Sequence, residues 1–96
     1  MTYAERIRTK LTGELNPTLL EIDDESHRHA GHLQHDGGAG QEGETHFSVH
    51  IIAAAFTGKS RVARQRMVYA ILADELSERV HALSLRTQSP DEVGLK

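Results

Sequence analysis

The sequence contains no cysteine, which excludes disulfides, thiolate metal sites, CxxC redox chemistry and a cysteine nucleophile. Any thiolate that takes part in metal chemistry must therefore come from another molecule. Long hydrophobic runs are also missing, because the longest, Ile51 to Phe56, is far shorter than the ~20 residues that cross a bilayer. Glu5 and Arg6 stand where a signal peptide needs apolar residues. We therefore expect a cytoplasmic protein with no membrane partner.

A strong excess of one charge sign is absent as well. The net charge is −3 with neutral histidine, so the surface as a whole does not attract nucleic acid, and such binding needs a local basic patch. The 96 residues suffice for one domain, and 38% hydrophobic with 26% charged residues permits a modest core. What is abundant is histidine, with seven residues that can each bind a metal or titrate near neutral pH.

The first half of the sequence predicts a helix followed by a strand. Thr2 and Glu5 form a capping box, and an apolar residue recurs every three or four positions as far as Leu15. An asparagine and a proline then end the helix. Residues 18–24 alternate apolar and acidic positions, which predicts a half-buried strand.

The second half predicts a strand, a long helix and a third strand. In residues 47–54, every second residue from Phe47 to Ala53 is apolar, and the residues between them are largely apolar too. This pattern predicts a strand in the centre of the sheet. Ser60 is a suitable N-cap for a helix that reaches about Leu76, and residues 80–87 form the last strand. The prediction is a single α+β domain over residues 1–96, with α-β-β-α-β order and a three-stranded mixed sheet. Two segments are expected to have little order: a long flexible loop over 26–43 and a tail over 89–96.

The order of the elements predicts how the strands meet. The first two strands follow each other directly and should pair antiparallel, whereas the helix before the third strand is a crossover that makes strands two and three parallel. With the second strand in the centre, the end of the first strand and the starts of the other two lie at one edge of the sheet. Those ends carry His29, His46 and His81.

The loop histidines are the first candidate metal ligands. Residues 25–43 hold four histidines and five glycines, a composition that can wrap a metal without fixing its geometry. A solvated polar loop is the alternative, and we favour it for His32 and His35. His29 is the better candidate, because the topology brings it toward His81.

Three histidines lie on or beside predicted strands. His81 opens the third strand, where a partly buried histidine bonded to a neighbouring carbonyl is an equally good interpretation. His46 and His50 share one face of the second strand and are better explained as structural, with His46 bonding across the sheet edge. His81 is therefore the strand residue that we favour as a ligand.

The densest cluster of one charge sign consists of Lys59, Arg61, Arg64 and Arg66. It lies at the start of the second long helix, whose dipole adds to the positive potential, so binding of phosphate groups is physically reasonable. A solvated helix face paired with acidic residues is the alternative. The topology places this cluster at the opposite end of the sheet from His29 and His81.

Catalytic arrangements are poorly supported. A serine, histidine and aspartate set can be drawn from Ser26, His27 and Asp23, but no nucleophile elbow or glycine-rich oxyanion turn accompanies it. Adjacent carboxylates such as Asp74 and Glu75 point to different faces and do not form an acid/base pair. We therefore predict a binding protein and not an enzyme.

Five segments together resemble the BolA family. They are residues 20–25 leading into the His29 loop, Glu44-Thr45-His46-Phe47, Phe56-x-Gly58, Val62-x-Arg64-x-Arg66-x-Val68-Tyr69 and Val80-His81-Ala82-Leu83. The resemblance runs from about Leu19 to Pro90. It implies a fold similar to the class II KH type, which agrees with the order of elements predicted above.

The resemblance also implies a function. Proteins of this family are partners of monothiol glutaredoxins, with which they share a [2Fe–2S] cluster, and some act as transcriptional regulators. The family's strand histidine corresponds to His81 and its loop ligand to His29, with His27 and His32 as substitutes. Because this chain has no cysteine, the thiolates would come from the glutaredoxin and glutathione. Two histidines on one iron of such a cluster is a known arrangement.

These observations favour an adaptor in iron–sulfur cluster trafficking or iron regulation, with no cofactor tightly bound to the isolated chain. The alternative is a DNA-binding transcriptional regulator that uses Lys59, Arg61, Arg64 and Arg66. A third interpretation is zinc binding by the loop histidines. We expect the free protein to be a monomer, with a weak homodimer as the alternative.

Overall fold

The computed structural model describes residues 2–25 and 45–94. In chain order the elements are α1 (Tyr3–Leu15), β1 (Leu19–Asp24), β2 (His46–Ile52), a 3-10 turn (Ala54–Phe56), α2 (Arg61–Ile71), α3 (Ala73–Glu78), β3 (Ala82–Gln88) and a second 3-10 turn (Pro90–Val93). The strand order is β1-β2-β3, with β1 antiparallel and β3 parallel to the central β2. The predicted α+β domain with a three-stranded mixed sheet is confirmed.

Helix α1 begins and ends where the sequence predicts. The Thr2 hydroxyl accepts a hydrogen bond from the Glu5 N–H at 3.0 Å, and the Glu5 carboxylate accepts one from the Thr2 N–H at 2.8 Å. Asn16 ends the helix in the left-handed region with a φ of 46°, which asparagine tolerates better than most residues. Neither α1 nor any other helix within residues 2–25 and 45–94 has both the length and the apolar character needed to cross a membrane.

The helices cover one face of the sheet, and the core lies between them. Phe47, Val49 and Ile51 of β2 are almost completely buried, as expected for the alternate residues of a central strand. The edge strands and α1 complete this layer with the apolar residues Leu20, Ile22, Leu83, Leu85, Ile7 and Leu11. The opposite face of the sheet carries the polar side chains of Glu21, His50 and Arg86 in register across the three strands, with the apolar pair Leu19 and Ile52 near one end.

The second long helix is divided in two. We predicted one helix reaching about Leu76, but the structure breaks it at Leu72, whose φ is −100° and ψ is 21°. The break lets Leu72 enter the core, where it is 1% exposed. It also directs α3 back toward α1, so that the buried carboxylate of Glu75 lies 2.9 Å from Arg6 and 3.0 Å from Lys10.

The end of the chain is attached to α2. The Ser89 and Glu92 side chains form a capping box on the second 3-10 turn, and Arg64 donates two hydrogen bonds at 2.8 Å to the Glu92 carboxylate. The described part of the tail, residues 89–94, thus has local structure and a contact with α2, while its weak order stays a prediction. The predicted loop over 26–43 lies outside the described residues.

Candidate functional site

Three backbone segments meet at one edge of the sheet, as the predicted topology requires. Directly after β1, the Glu25 N–H donates to the His46 carbonyl at 2.7 Å. Directly before β3, the His81 N–H donates to the Thr45 carbonyl at 2.9 Å. We call this region, formed by Glu25, Thr45, His46 and His81, the histidine edge. It brings together the end of β1 and the starts of β2 and β3.

His81 is the accessible imidazole of the histidine edge. Its side chain is exposed, whereas the preceding Val80 is 1% exposed and anchors the chain in the core. Strand β3 begins one residue later, at Ala82, which corrects the prediction that His81 opens the strand. The bond to the Thr45 carbonyl nevertheless fixes its backbone. The exposed side chain rules out the alternative of a partly buried histidine and leaves the ring open to a partner.

His46 and His50 are engaged in local contacts. His46 Nδ1 lies 2.8 Å from the Thr45 hydroxyl, its neighbour in sequence. His50 Nε2 lies 2.6 Å from Gln88 Oε1, and His50 Nδ1 lies 3.5 Å from the Glu21 carboxylate. These contacts support the structural role that we predicted for both residues.

The loop candidates His27, His29, His32 and His35 lie outside the described residues, so their roles as ligands or substitutes stay predictions. Glu25 and Thr45, which flank the segment in sequence, both lie at the histidine edge. In the described part of the chain, no three histidine, aspartate or glutamate side chains form a group suited to a metal ion. The donors at this edge therefore fit a site completed by other groups.

Arg64 is not available for nucleic acid, and our prediction for it was wrong. The residue is 6% exposed, and besides its two bonds to Glu92 it donates to the carbonyls of Lys59 at 2.9 Å and Thr87 at 3.1 Å. The Glu92 carboxylate raises the pKa of Arg64 further. The reason for the error is that sequence spacing alone does not distinguish a buried arginine from an exposed one.

The other three predicted nucleic-acid residues, Lys59, Arg61 and Arg66, are exposed. Sequence analysis missed Arg86, an exposed residue of β3. Lys59, Arg61 and Arg86 line an open groove of about 610 Å³, which we call the basic groove. Its remaining lining residues are Arg64, Leu85, Thr87, Gln88 and Glu92. The alternation of β3 predicts that Arg86 points away from the core, but only the parallel pairing with β2 places it beside the start of α2.

Comparison with known proteins identifies relatives along nearly the whole chain. The family model described as BolA-like protein matches residues 11–92. The chain is 51% identical over 88 residues to SufE-like protein 1, chloroplastic/mitochondrial, of Arabidopsis thaliana, covering 92% of this chain and 24% of that protein. It is 44% identical over 89 residues to Protein BOLA1, chloroplastic, of the same plant, covering 93% and 54%. The chain thus spans a quarter to about half the length of these two relatives.

A bacterial relative and two solved structures agree with this result. The chain is 44% identical over 87 residues to the DNA-binding transcriptional regulator BolA of Escherichia coli K12, covering 91% of this chain and 75% of that protein. The structure of the BolA domain of SufE1 from Arabidopsis thaliana superposes with a TM-score of 0.81 at 44% identity, and that of BolA1 from the same plant with 0.83 at 42%; each covers 96% of both chains. The chain belongs to the BolA-like protein family.

Proposed function

We propose that this protein is a non-catalytic, cytoplasmic adaptor that binds a monothiol glutaredoxin and shares a [2Fe–2S] cluster with it, in iron–sulfur trafficking or iron regulation. His81 is the ligand contributed by the histidine edge, and His29 is the second ligand. The observation that carries the proposal is the exposed His81 ring on a backbone held 2.9 Å from the Thr45 carbonyl. Membership of the BolA-like family supports it, since the family resemblance implies this partner.

The donors of this chain suit a shared site. With no cysteine in the sequence, the chain offers imidazole alone, and the glutaredoxin and glutathione supply thiolates. A bound cluster with mixed histidine and thiolate ligation has a higher reduction potential than one with thiolates alone. To bind iron, His81 must present an unprotonated ring nitrogen.

Reconstitution of the complex tests the proposal. The protein is mixed with a monothiol glutaredoxin, glutathione, iron and sulfide, and visible absorption and circular dichroism are recorded. His81→Ala should remove the mixed-ligand signature while the apo fold stays intact, and His29→Ala should weaken it in part. His50→Ala is the matched control, because His50 lies on the polar face of the sheet with local partners. An unchanged cluster spectrum and stability with His81→Ala would overturn the proposal.

A second candidate function is DNA binding by the basic groove. It is favoured by the name of the Escherichia coli relative and by the exposed Lys59, Arg61 and Arg86 that line one groove. The combined change Arg61→Ala and Arg86→Ala should weaken DNA binding about equally across sequences and lower its salt dependence. Arg8→Ala on α1 serves as the control for loss of one positive charge elsewhere. Salt-independent binding that survives the double change would exclude this role for the groove.

A further inference from the structure

Within residues 2–25 and 45–94, no strand pairs with the outer side of β3. On the inner side of β3, the Ala82 N–H donates to the Thr45 carbonyl just before β2, and the Gln88 carbonyl accepts from the Ala53 N–H just after β2. Because backbone groups alternate in direction along a strand, the N–H and carbonyl groups of Leu83, Leu85 and Thr87 point away from β2. Among the residues that the structure describes, the sheet ends at β3.

Side chains of α2 occupy part of this edge. The Tyr69 hydroxyl donates to the Leu83 carbonyl at 3.2 Å, and Arg64 donates to the Thr87 carbonyl at 3.1 Å. Among the described residues, the outward N–H groups of Leu83, Leu85 and Thr87 keep their donor capacity, while two of the three outward carbonyls accept side-chain bonds. The edge therefore has a surplus of donors, which favours a partner rich in acceptor groups.

The charge beside the edge points the same way. The basic groove has the positive side chains Lys59, Arg61, Arg64 and Arg86 against the single carboxylate of Glu92, a net charge of 4 − 1 = +3. Such a local excess of positive charge attracts carboxylates although the whole chain has a net charge of −3.

An apolar feature lies next to the same edge. Val62 of α2 is 57% exposed, and it lines a second pocket of about 210 Å³ together with Gln65, Arg66 and Tyr69. Tyr69 connects this pocket to β3 through its bond to the Leu83 carbonyl. A ligand along the edge can therefore place an apolar side chain here and carboxylates in the basic groove.

We propose that the outer edge of β3 binds an extended acidic peptide segment of a partner protein as a fourth strand. The outward N–H groups donate to the carbonyls of the peptide, the basic groove pairs with its carboxylates, and the pocket beside Val62 and Tyr69 accepts an apolar residue. Outward N–H groups recur at every second residue, roughly 7 Å apart, which is the repeat of an extended peptide. Strand addition of this kind takes affinity from main-chain bonds and specificity from side-chain pockets. The exposed valine favours a peptide over a nucleic acid as the ligand.

Titration with a short peptide in which glutamate and valine alternate tests this proposal. Amide resonances of Leu83, Leu85 and Thr87 should shift, and their hydrogen exchange should slow. A peptide of the same charge that is N-methylated at every residue carries methyl groups on both of its edges and cannot add as a strand, so it should bind at least about tenfold more weakly. Arg61→Ala combined with Arg86→Ala should weaken the unmodified peptide similarly.

Thr87→Pro removes one outward N–H while keeping the bonds of β3 to β2, because proline is tolerated where the strand N–H faces outward. This variant should also bind the peptide less well, and the N-methylated peptide gives the same test on the unaltered protein if the variant does not fold. Equal binding of the N-methylated peptide, or of a lysine–valine peptide, would overturn the proposal. So would tighter binding of a single-stranded oligothymidylate at the same amides, which would identify a nucleic-acid surface.

Discussion

Arg61 and Arg64 show how one residue type takes opposite roles within a single helical turn. Arg61 is exposed and lines the basic groove. Arg64, three positions later, turns toward the end of the chain, where Glu92 and two backbone carbonyls accept its hydrogen bonds. Its guanidinium carbon also lies 5.7 Å from the centre of the Phe56 ring. Arg64 therefore joins α2, β3 and the terminal 3-10 turn.

Replacing these two arginines should separate stability from binding. Arg64→Ala should lower the free energy of unfolding by about 2–3 kcal/mol, because it leaves hydrogen-bond acceptors unpaired. Arg61→Ala should change it by less than about 0.5 kcal/mol, as exposed substitutions usually do. Urea unfolding followed by circular dichroism measures both. Equal stability of the two variants would contradict the structural role of Arg64.

Glu92 makes the same contact sensitive to acid. The hydrogen bonds from Arg64 lower the pKa of Glu92 from 4.5 to about 2. A carboxyl with a depressed pKa in the folded state stabilises the protein fully above its unfolded pKa, and this contribution is lost as the pH falls through the folded pKa. The stability difference between the wild type and Glu92→Gln should thus be largest near neutral pH and shrink between about pH 5 and pH 2. A difference independent of pH in urea titrations would contradict this pairing in solution.

At the scale of elements, α1 and α3 are joined by charged groups around a buried carboxylate. Burial by itself raises the pKa of Glu75. The hydrogen bond from Lys10, a hydrogen bond from the backbone N–H of Glu75 itself, and the positive charges of Lys10 and Arg6 lower it, so that the pKa is lowered overall. Glu78 of α3 adds a second, exposed contact with α1: its carboxylate accepts hydrogen bonds from the Tyr3 hydroxyl and from Arg6, each at 2.9 Å. The ionised Glu75 therefore holds α3 against α1.

Glu75→Gln should loosen this junction more than Glu78→Gln. The change at Glu75 should cost about 1–3 kcal/mol, because it weakens charge-assisted bonds to a side chain that is 0% exposed. The change at Glu78 should cost less, since that side chain is 46% exposed. Amide hydrogen exchange along α3 and urea unfolding measure the two effects. A larger loss from Glu78→Gln would show that the buried group is not the main contact.

The same elements show which parts of the fold local sequence determines. The capping box of α1 and the two-residue alternation of β2 depend on neighbouring residues, so both were predicted correctly. The break at Leu72 was not, because no proline or glycine marks it. The helix that follows the break contacts α1 through Arg6 and Glu75, which lie 69 positions apart in sequence. Contacts at such sequence distances cannot be inferred from periodicity.

At the scale of the whole molecule, the two candidate surfaces lie at opposite ends of β3. The histidine edge adjoins Ala82, and the lining of the basic groove on β3 runs from Leu85 to Gln88, so the groove begins roughly 10 Å and ends roughly 20 Å along the strand from the histidine edge. Topology alone predicted where His81 lies, since it follows from the strand order. It did not predict Arg86 as a groove residue or Arg64 as a buried one, because both depend on the register of β3 beside α2.

Because the surfaces are separate, changes at one should leave the other intact. His81→Ala should abolish the mixed-ligand cluster signal in the glutaredoxin complex and leave affinity for the acidic peptide unchanged. Arg61→Ala combined with Arg86→Ala should weaken the peptide and leave the cluster signal unchanged. Sites more than about 7–10 Å apart without shared partners usually act additively to within about 0.5 kcal/mol. The triple variant should therefore lose the cluster signal as His81→Ala does and lose peptide affinity as the double arginine variant does. Visible circular dichroism of the cluster and fluorescence anisotropy of the labelled peptide, measured on the same four proteins, test this. If the arginine changes remove the cluster signal, the glutaredoxin contacts both ends of β3, and the two surfaces are one interface.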